Sequence, residues 1–155
     1  MPWKKFIMNN LFSEIDSSFS QRKGVIFCDG GSRGNPGISA GGSVLYDENK
    51  KEIARDGIFT GSNQTNNFAE YSSLIIGMKL SLTHNITHLE VFMDSKLAIE
   101  QMKGKWKVKH INIKPLFEKA KYLEESFEKV SFYHIPREKN KIADEIANEV
   151  MDKNS

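Results

Sequence analysis

Four carboxylates stand where this chain changes from one element to the next: Asp29, Glu70, Asp94 and Asp144. Asp29 closes the apolar run Val25-Ile26-Phe27-Cys28 and opens a glycine-rich stretch that ends at Gly37. Such a run reads as a buried strand, and an acid at its end puts charge at the mouth of a sheet, where α/β proteins bind ligands. Strand alternation places Val25, Phe27 and Asp29 on one face and Ile26 and Cys28 on the other. A carboxylate closing an apolar face needs a partner, because an unpaired buried charge is costly. No basic residue is its evident neighbour. Several carboxylates converging there would repel one another unless a divalent cation lay between them. An all-oxygen set suits Mg²⁺ or Mn²⁺, not zinc.

Each acid also has an ordinary structural reading. Asn67-Phe68-Ala69-Glu70 fits a capping box, with Glu70 in the first turn reaching back to the helix start. Asp94 can N-cap the helix that follows it. Asp144 can complement a helix dipole.

The elements that must position these acids follow from periodicity. A strand is expected at 25–29, followed by a glycine loop with a turn at Asn35-Pro36-Gly37. Two further strands, 41–46 and 53–59, flank the polar turn Asp47-Glu48-Asn49-Lys50 and complete an antiparallel meander. A helix starts at Thr65-Asn66-Asn67, with Phe68, Tyr71, Leu74, Ile75, Met78 and Leu82 at helical spacing. The strand 88–93 stops at Asp94, and a short helix runs to Met102. A basic connector leads to a third helix over 113–127. A last strand at 130–135 and a loop at 136–139 precede a final helix capped by Asn140. The order βββαβααβα implies an α/β domain with a mixed five-stranded sheet flanked by helices.

Composition narrows the class. The chain has 155 residues, consistent with one domain, and 39% hydrophobic residues with ten Phe, enough for a core. A net charge of +2 leaves any nucleic-acid surface to be found locally. The single cysteine, Cys28, excludes an intrachain disulfide and a cysteine zinc cluster and fits a reducing compartment. The start, Met1 to Phe12, is basic and then apolar. Asn9, Asn10, Ser13 and Glu14 break that run, so no signal peptide is expected. No stretch approaches the ~18 apolar residues of a membrane span. A cytoplasmic, free-standing monomer that does not engage membranes is the expectation. Residues 1–14 suit a short amphipathic helix with Phe6, Ile7, Leu11 and Ile15 near one face, and 17–24 suit a linker. The expected organisation is an extension and linker over 1–23, packing loosely on a domain over 24–152.

Four segments, taken together, resemble type 1 ribonuclease H in its compact, archaeal-like form. They are Asp29-Gly30-Gly31-Ser32-Arg33-Gly34-Asn35-Pro36-Gly37, Thr65-Asn66-Asn67-Phe68-Ala69-Glu70, Met93-Asp94-Ser95 and Asn140-Lys141-Ile142-Ala143-Asp144. They fall in the family's order on the expected elements, across about residues 24–150. The resemblance implies a ribonuclease H-like fold. It implies that Asp29, Glu70, Asp94 and Asp144 are catalytic metal ligands for two Mg²⁺ ions, with Mn²⁺ as a substitute. It further implies endonucleolytic cleavage of the RNA strand of RNA–DNA hybrids by two-metal catalysis, giving 5′-phosphate and 3′-hydroxyl ends.

An enzyme of this kind must distinguish RNA from DNA without reading bases, and the 2′-hydroxyl is the natural handle. Gly30 through Asn35 offer backbone groups and the Ser32 hydroxyl to a minor groove, with Gly34 permitting close approach. Asn35, Asn66 and Asn67 offer both donors and acceptors. The family resemblance assigns these asparagines to substrate sugars and backbone, and Thr65 to a DNA phosphate. Helix capping is the ordinary reading of Asn66 and Asn67, and the two roles are compatible. The connector Lys103-Gly104-Lys105-Trp106-Lys107-Val108-Lys109-His110 carries no acid through Lys114. Lys105, Lys107 and Lys109 around Trp106 suit a phosphate backbone tracked beside an aromatic platform; the alternative is a solvated loop with Trp106 in the core. The longer basic protrusion of bacterial members is absent, and residues 1–22 are too few and lack the pattern for the eukaryotic hybrid-binding domain, which is not expected here. Where longer members carry a mobile loop histidine, this chain has Arg137, whose guanidinium suits a scissile phosphate; its alternative is an ion pair with Glu138 or Glu145. His134, inside the last strand, is expected to be partly buried. The competing functions are a silent hybrid-binding module, a nuclease that also cuts double-stranded RNA, and a bland domain whose acids cap helices and bind no metal.

Overall fold

The computed structural model describes residues 21–155. The amphipathic helix expected over 1–14 and most of the linker lie outside the described residues. Five strands form one mixed sheet: β1 (Lys23–Arg33), β2 (Gly37–Asp47), β3 (Glu52–Gln64), β4 (His88–Met93) and β5 (Lys129–His134). Their spatial order is β3-β2-β1-β4-β5. The first three strands run antiparallel, while β4 and β5 are parallel to β1. Helix α1 (Asn66–Thr83) follows β3. Helices α2 (Lys96–Met102) and α3 (Lys114–Glu124) connect β4 to β5, and α4 (Lys141–Lys153) ends the described chain. The element order is the one expected from the sequence.

Two faces of the sheet are covered differently. Ile26, Cys28, Leu45, Val91 and Met93 point to one face and pack with Leu74 and Met78 of α1 in the main core. Their near-zero exposure reflects the period-2 placement of large apolar side chains on adjacent strands. On the other face, α4 packs on β1, β2 and β3. Gly42 and Gly57 permit this close approach, since a Cβ on either would collide with Ile146 or its neighbours. Ala40, Ala147 and Met151 form a second, smaller core there.

Several expected boundaries are corrected. The glycine stretch is strand, not loop: β1 continues past Asp29 to Arg33, and Gly30, Gly31, Ser32 and Arg33 pair with Gly41, Ala40, Ser39 and Ile38. Backbone pairing needs no side chains, so glycines that signal a loop in sequence extend the hairpin here. The turn is only Gly34-Asn35-Pro36. Gly34 has φ +87°, so its role is the left-handed turn itself. β3 likewise runs on to Gln64, with irregular pairing near Ser39. Helix α3 stops at Glu124, not 127, where Ser126 and Phe127 turn back on the carbonyls of Leu123 and Glu124.

Candidate active site

The acids meet at one end of the sheet, between α1 and α4. Asp29, Glu70 and Asp94 each place a carboxylate oxygen within 4.8 Å of the others. Asp144 lies outside that trio but is close enough to raise the Asp29 pKa by its charge and by a hydrogen bond. It sits in the first turn of α4 and is half-buried. Asp29 itself is only 6% exposed.

The ordinary readings of two acids fail on geometry. Glu70 closes no capping box. The N-cap of α1 is Thr65, whose Oγ1 accepts from the Phe68 amide at 3.2 Å. Glu70 therefore sits deeper in the helix than expected, and its Oε2 accepts from the Gly30 amide at 3.3 Å. Gly30 must be glycine for that approach, because a Cβ would strike the Ala69 backbone. Asp94 does not cap α2; Ser95 does, accepting from the Ala98 amide at 3.2 Å. Asp94 is left at the end of β4, where its Oδ1 accepts from Asn140 Nδ2 at 2.8 Å.

Electrostatics sharpen the arrangement. Burial, then the charges of Asp94 and Asp144, push the Asp29 carboxyl from 3.8 up to about 8. Burial, then Asp29 and Asp94, push Glu70 well above the usual carboxylate range, against the pull of the Gly30 amide. The ion pairs among the described residues are Arg33–Asp152, Arg55–Glu52 and Lys121–Glu124. None brings a cation to the acids. A buried carboxylate cluster with no basic partner among the described residues is the donor set that a hard divalent cation fits.

Asn140 reads in sequence as a helix cap, and the structure gives its side chain another task. It occupies the N-cap position of α4 but makes no capping hydrogen bond. Its Nδ2 donates to the Cys28 carbonyl and to Asp94 Oδ1, both at 2.8 Å, tying the ends of β1 and β4 together. Its Oδ1 is buried without a hydrogen-bond partner among the described residues. The cap signature conceals this bridge; only the spatial adjacency of β1 and β4 exposes it.

Beside the acids, the hairpin turn and the start of α1 interlock. Asn66 Oδ1 accepts from the Ser32 amide at 2.8 Å and from Ser32 Oγ at 3.0 Å, and the Asn66 amide donates to Asn35 Oδ1 at 3.1 Å. Ser32, Asn35 and Asn66 thus form one surface, with Asn67 exposed and Thr65 half-buried next to it. At the hairpin tip, Arg33 pairs with Asp152 at 2.6 Å and reaches Asn148, which fastens β1 to α4.

The basic connector is exposed. Lys105, Lys107 and Lys109 all face solvent, and Trp106 is 45% exposed rather than in the core, with the Lys96 ammonium 5.9 Å from its ring centre. Gln101 links the segment to the core: its Nε2 donates to the Lys107 carbonyl at 3.2 Å, and its Oε1 accepts from Tyr71 Oη at 2.7 Å, while the Lys105 and Trp106 amides donate to the Glu100 carbonyl. Tyr71 is the residue after Glu70. Sequence reading misses Gln101 and Tyr71 as supports, since both sit at ordinary helical core positions. Arg137 lies exposed in a 3-10 turn (Arg137–Lys139) before α4 and takes part in none of the ion pairs among the described residues, so the alternative pairing with Glu138 or Glu145 is not made. His134 is exposed, not partly buried, because β5 is the sheet edge.

A mixed sheet in the order 3-2-1-4-5, with acids at the ends of β1 and β4 and on the flanking helices α1 and α4, defines a ribonuclease H-like domain. A family model described as reverse transcriptase-like matches residues 27–150. The bifunctional protein Rv2228c of Mycobacterium tuberculosis is 40% identical over 130 residues, covering 84% of this chain and 36% of that protein. Its solved N-terminal RNase H domain superposes with a TM-score of 0.83, covering 86% of this chain and 96% of that one. Ribonuclease HI of Halobacterium salinarum is 35% identical over 126 residues, 81% of this chain and 63% of its own length. The LC11-RNase H1 structure in complex with an RNA/DNA hybrid is 38% identical with a TM-score of 0.78, covering 84% of this chain and 98% of that one. The chain belongs to the ribonuclease H family, on its type 1 branch. It spans about a third of the length of the mycobacterial relatives.

Proposed function

We propose that this chain is an endonuclease that hydrolyses the RNA strand of RNA–DNA hybrids, leaving 5′-phosphate and 3′-hydroxyl ends. The observation that carries this reading is the convergence of Asp29, Glu70 and Asp94 within 4.8 Å, with no ion pair among the described residues to neutralise them. Asp29, Glu70, Asp94 and Asp144 would hold two divalent cations, Mg²⁺ by preference. Bound there, the cations would supply an activated water and stabilisation of the leaving 3′ oxygen.

The chain's own groups do the rest. The Gly30 amide holds Glu70 and the Asn140 side-chain amide holds Asp94, so neither carboxylate must be ordered when substrate arrives. Ser32, Asn35, Asn66 and Asn67 face the minor groove, where a 2′-hydroxyl is donor and acceptor at once. Gly30 and Gly34 shape that surface by close packing and by the turn, respectively. Thr65 takes a DNA phosphate. Lys105, Trp106, Lys107 and Lys109 track the backbone of the DNA strand. Arg137, in none of the ion pairs among the described residues, orients the scissile phosphate through its planar fork.

The test is cleavage of an end-labelled RNA–DNA hybrid with Mg²⁺ or Mn²⁺, alongside Asp29→Asn and an RNA–RNA duplex. Hybrid cleavage that vanishes in Asp29→Asn is expected. Cutting of the RNA duplex would widen the substrate class. A folded sample that cuts nothing with either metal would overturn the reading and leave a hybrid-binding module.

A further inference from the structure

The sheet has a second conspicuous feature, on the face that α4 only partly covers. Four aromatic side chains form a row across β2, β1, β4 and β5: Tyr46, Phe27, Phe92 and Tyr133. Phe27 stacks on Phe92 with ring centres 5.1 Å apart, Phe92 stacks on Tyr133 at 5.0 Å, and Tyr46 meets Phe27 edge-on at 5.8 Å. With Val25 they floor a groove of about 1160 Å³, walled at one side by Asn140 and Ile142 at the start of α4. Tyr133 is 41% exposed and Ile142 38%.

The stacking itself selects the kind of occupant. Phe27 and Phe92 have their ring faces covered by neighbouring rings, so they present edges outward. A nucleobase needs a free face to stack on. An apolar helix needs only a ridge of apolar edges.

The sequence before the described residues has the pattern of such a helix. Gln21, the first described residue, lines the groove. The exit is pinned: the Arg22 amide donates to Thr87 Oγ1 at 2.8 Å, and the Arg22 carbonyl accepts from the amides of Thr87 and His88. Ile7, Leu11 and Ile15 fall within an arc of about 80° on a helical wheel. Residues 6–15 would span about 15 Å as a helix. The aromatic row crosses three strand spacings, about 14 Å. The six steps from Ile15 to Gln21 reach up to about 20 Å, enough to bring that helix back over the row.

We propose that residues 6–15 of this chain dock as an amphipathic helix in the groove, with Ile7, Leu11 and Ile15 against Tyr46, Phe27, Phe92 and Tyr133. The tether holds the local concentration near the millimolar range, so a modest apolar contact suffices. The occupant is intramolecular, and its docking does not depend on the proposed nuclease activity.

The test uses the full chain. In the double variant Leu11→Cys/Tyr133→Cys, mild oxidation should give an intrachain disulfide in a monomer, with buried Cys28 not participating. In the double variant Ile7→Asp/Leu11→Asp, the melting temperature should fall by about 3 °C or more. Oxidation that links two chains, with a dimer by sedimentation, would assign the groove to a second copy and overturn the proposal. So would an absent disulfide with an unchanged melting temperature. Weaker single-stranded oligonucleotide binding in Tyr133→Ala, with Ile7→Asp/Leu11→Asp melting unchanged, would assign the groove to nucleic acid and overturn it as well.

Discussion

At the acidic centre, four elements each bring one carboxylate to a shared, enclosed place; at the connector, one short segment carries its lysines outward into solvent. Glu70 is held by a backbone amide and Asp94 by Asn140, and both repel Asp29. Lys105, Lys107 and Lys109 are seated by the Gln101 contact beneath them and otherwise face solvent. The first arrangement makes ionisation of Asp29 and Glu70 unfavourable in a fixed frame, a penalty that a bound cation would relieve. The second keeps favourable charge on long, solvated side chains, which can follow a phosphate backbone at little cost in order. Damage to the centre should therefore change turnover and stability together. Damage to the connector should change affinity alone.

The largest expected effect is at the centre. Asp29→Asn should lower hybrid cleavage on the order of 10³-fold or more, the scale seen when a transition-state charge partner is removed. The same substitution should raise the melting temperature of the metal-free protein by a few degrees, because it removes a buried repulsion. Lower activity with lower stability would contradict the repulsion at Asp29, and lower activity with unchanged stability would break the contrast between the two regions.

The next effect is on pH. Asp29 titrates near 8 in the fold against 3.8 ordinarily, so the fold favours its protonated form, and Glu70 shifts in the same direction. Below about pH 4 both folded and unfolded chains hold the Asp29 proton, and the fold incurs no penalty from it. Between about 4 and 8 the unfolded chain ionises first, so the metal-free fold loses stability as pH rises, and the loss levels off above 8. Melting of the metal-free protein should therefore be lower at pH 8 than at pH 5 by this contribution. Added Mg²⁺ should restore more at pH 8 than at pH 5. A Mg²⁺ response that is equal at both values would count against a carboxylate metal site.

At the connector, replacing Lys105, Lys107 and Lys109 together by Ala should raise KM about tenfold with kcat within about twofold. The salt dependence of binding should flatten by roughly 0.7–0.9 in log–log slope for each phosphate that is no longer neutralised. The smallest effect sharpens the comparison: Gln101→Leu should raise KM by about threefold with kcat unchanged, since only the seating of the connector is disturbed. A fall in kcat there would show that the Tyr71–Gln101 link reaches Glu70.

Most of the architecture was legible because large apolar side chains mark period-2 and period-3.6 segments without help from distant partners. Each of the four acids alone reads as a cap or a helix-dipole partner, and it is the resemblance of their four segments to ribonuclease H that joins them as one site. What escaped depends on partners far away in sequence. Gly30 to Arg33 are a strand only because Ile38 to Gly41 lie opposite, and glycines alone signal a loop. Glu70 matches a capping box, yet the Gly30 amide outcompetes the helix start for it. Asn140 looks like a cap and proves to join β1 to β4 across 112 and 46 residues of separation. Gln101 reads as an ordinary polar residue on a helix until Tyr71 and the Lys107 carbonyl are seen beside it.

The most direct measurement is Mg²⁺ binding by calorimetry at pH 8, on the native chain and on Asp29→Asn, with hybrid cleavage assayed on the same samples. Saturable binding and cleavage are expected in the native chain, and the loss of both in Asp29→Asn. A folded native chain that neither binds Mg²⁺ nor cuts the hybrid would contradict a carboxylate-held metal centre.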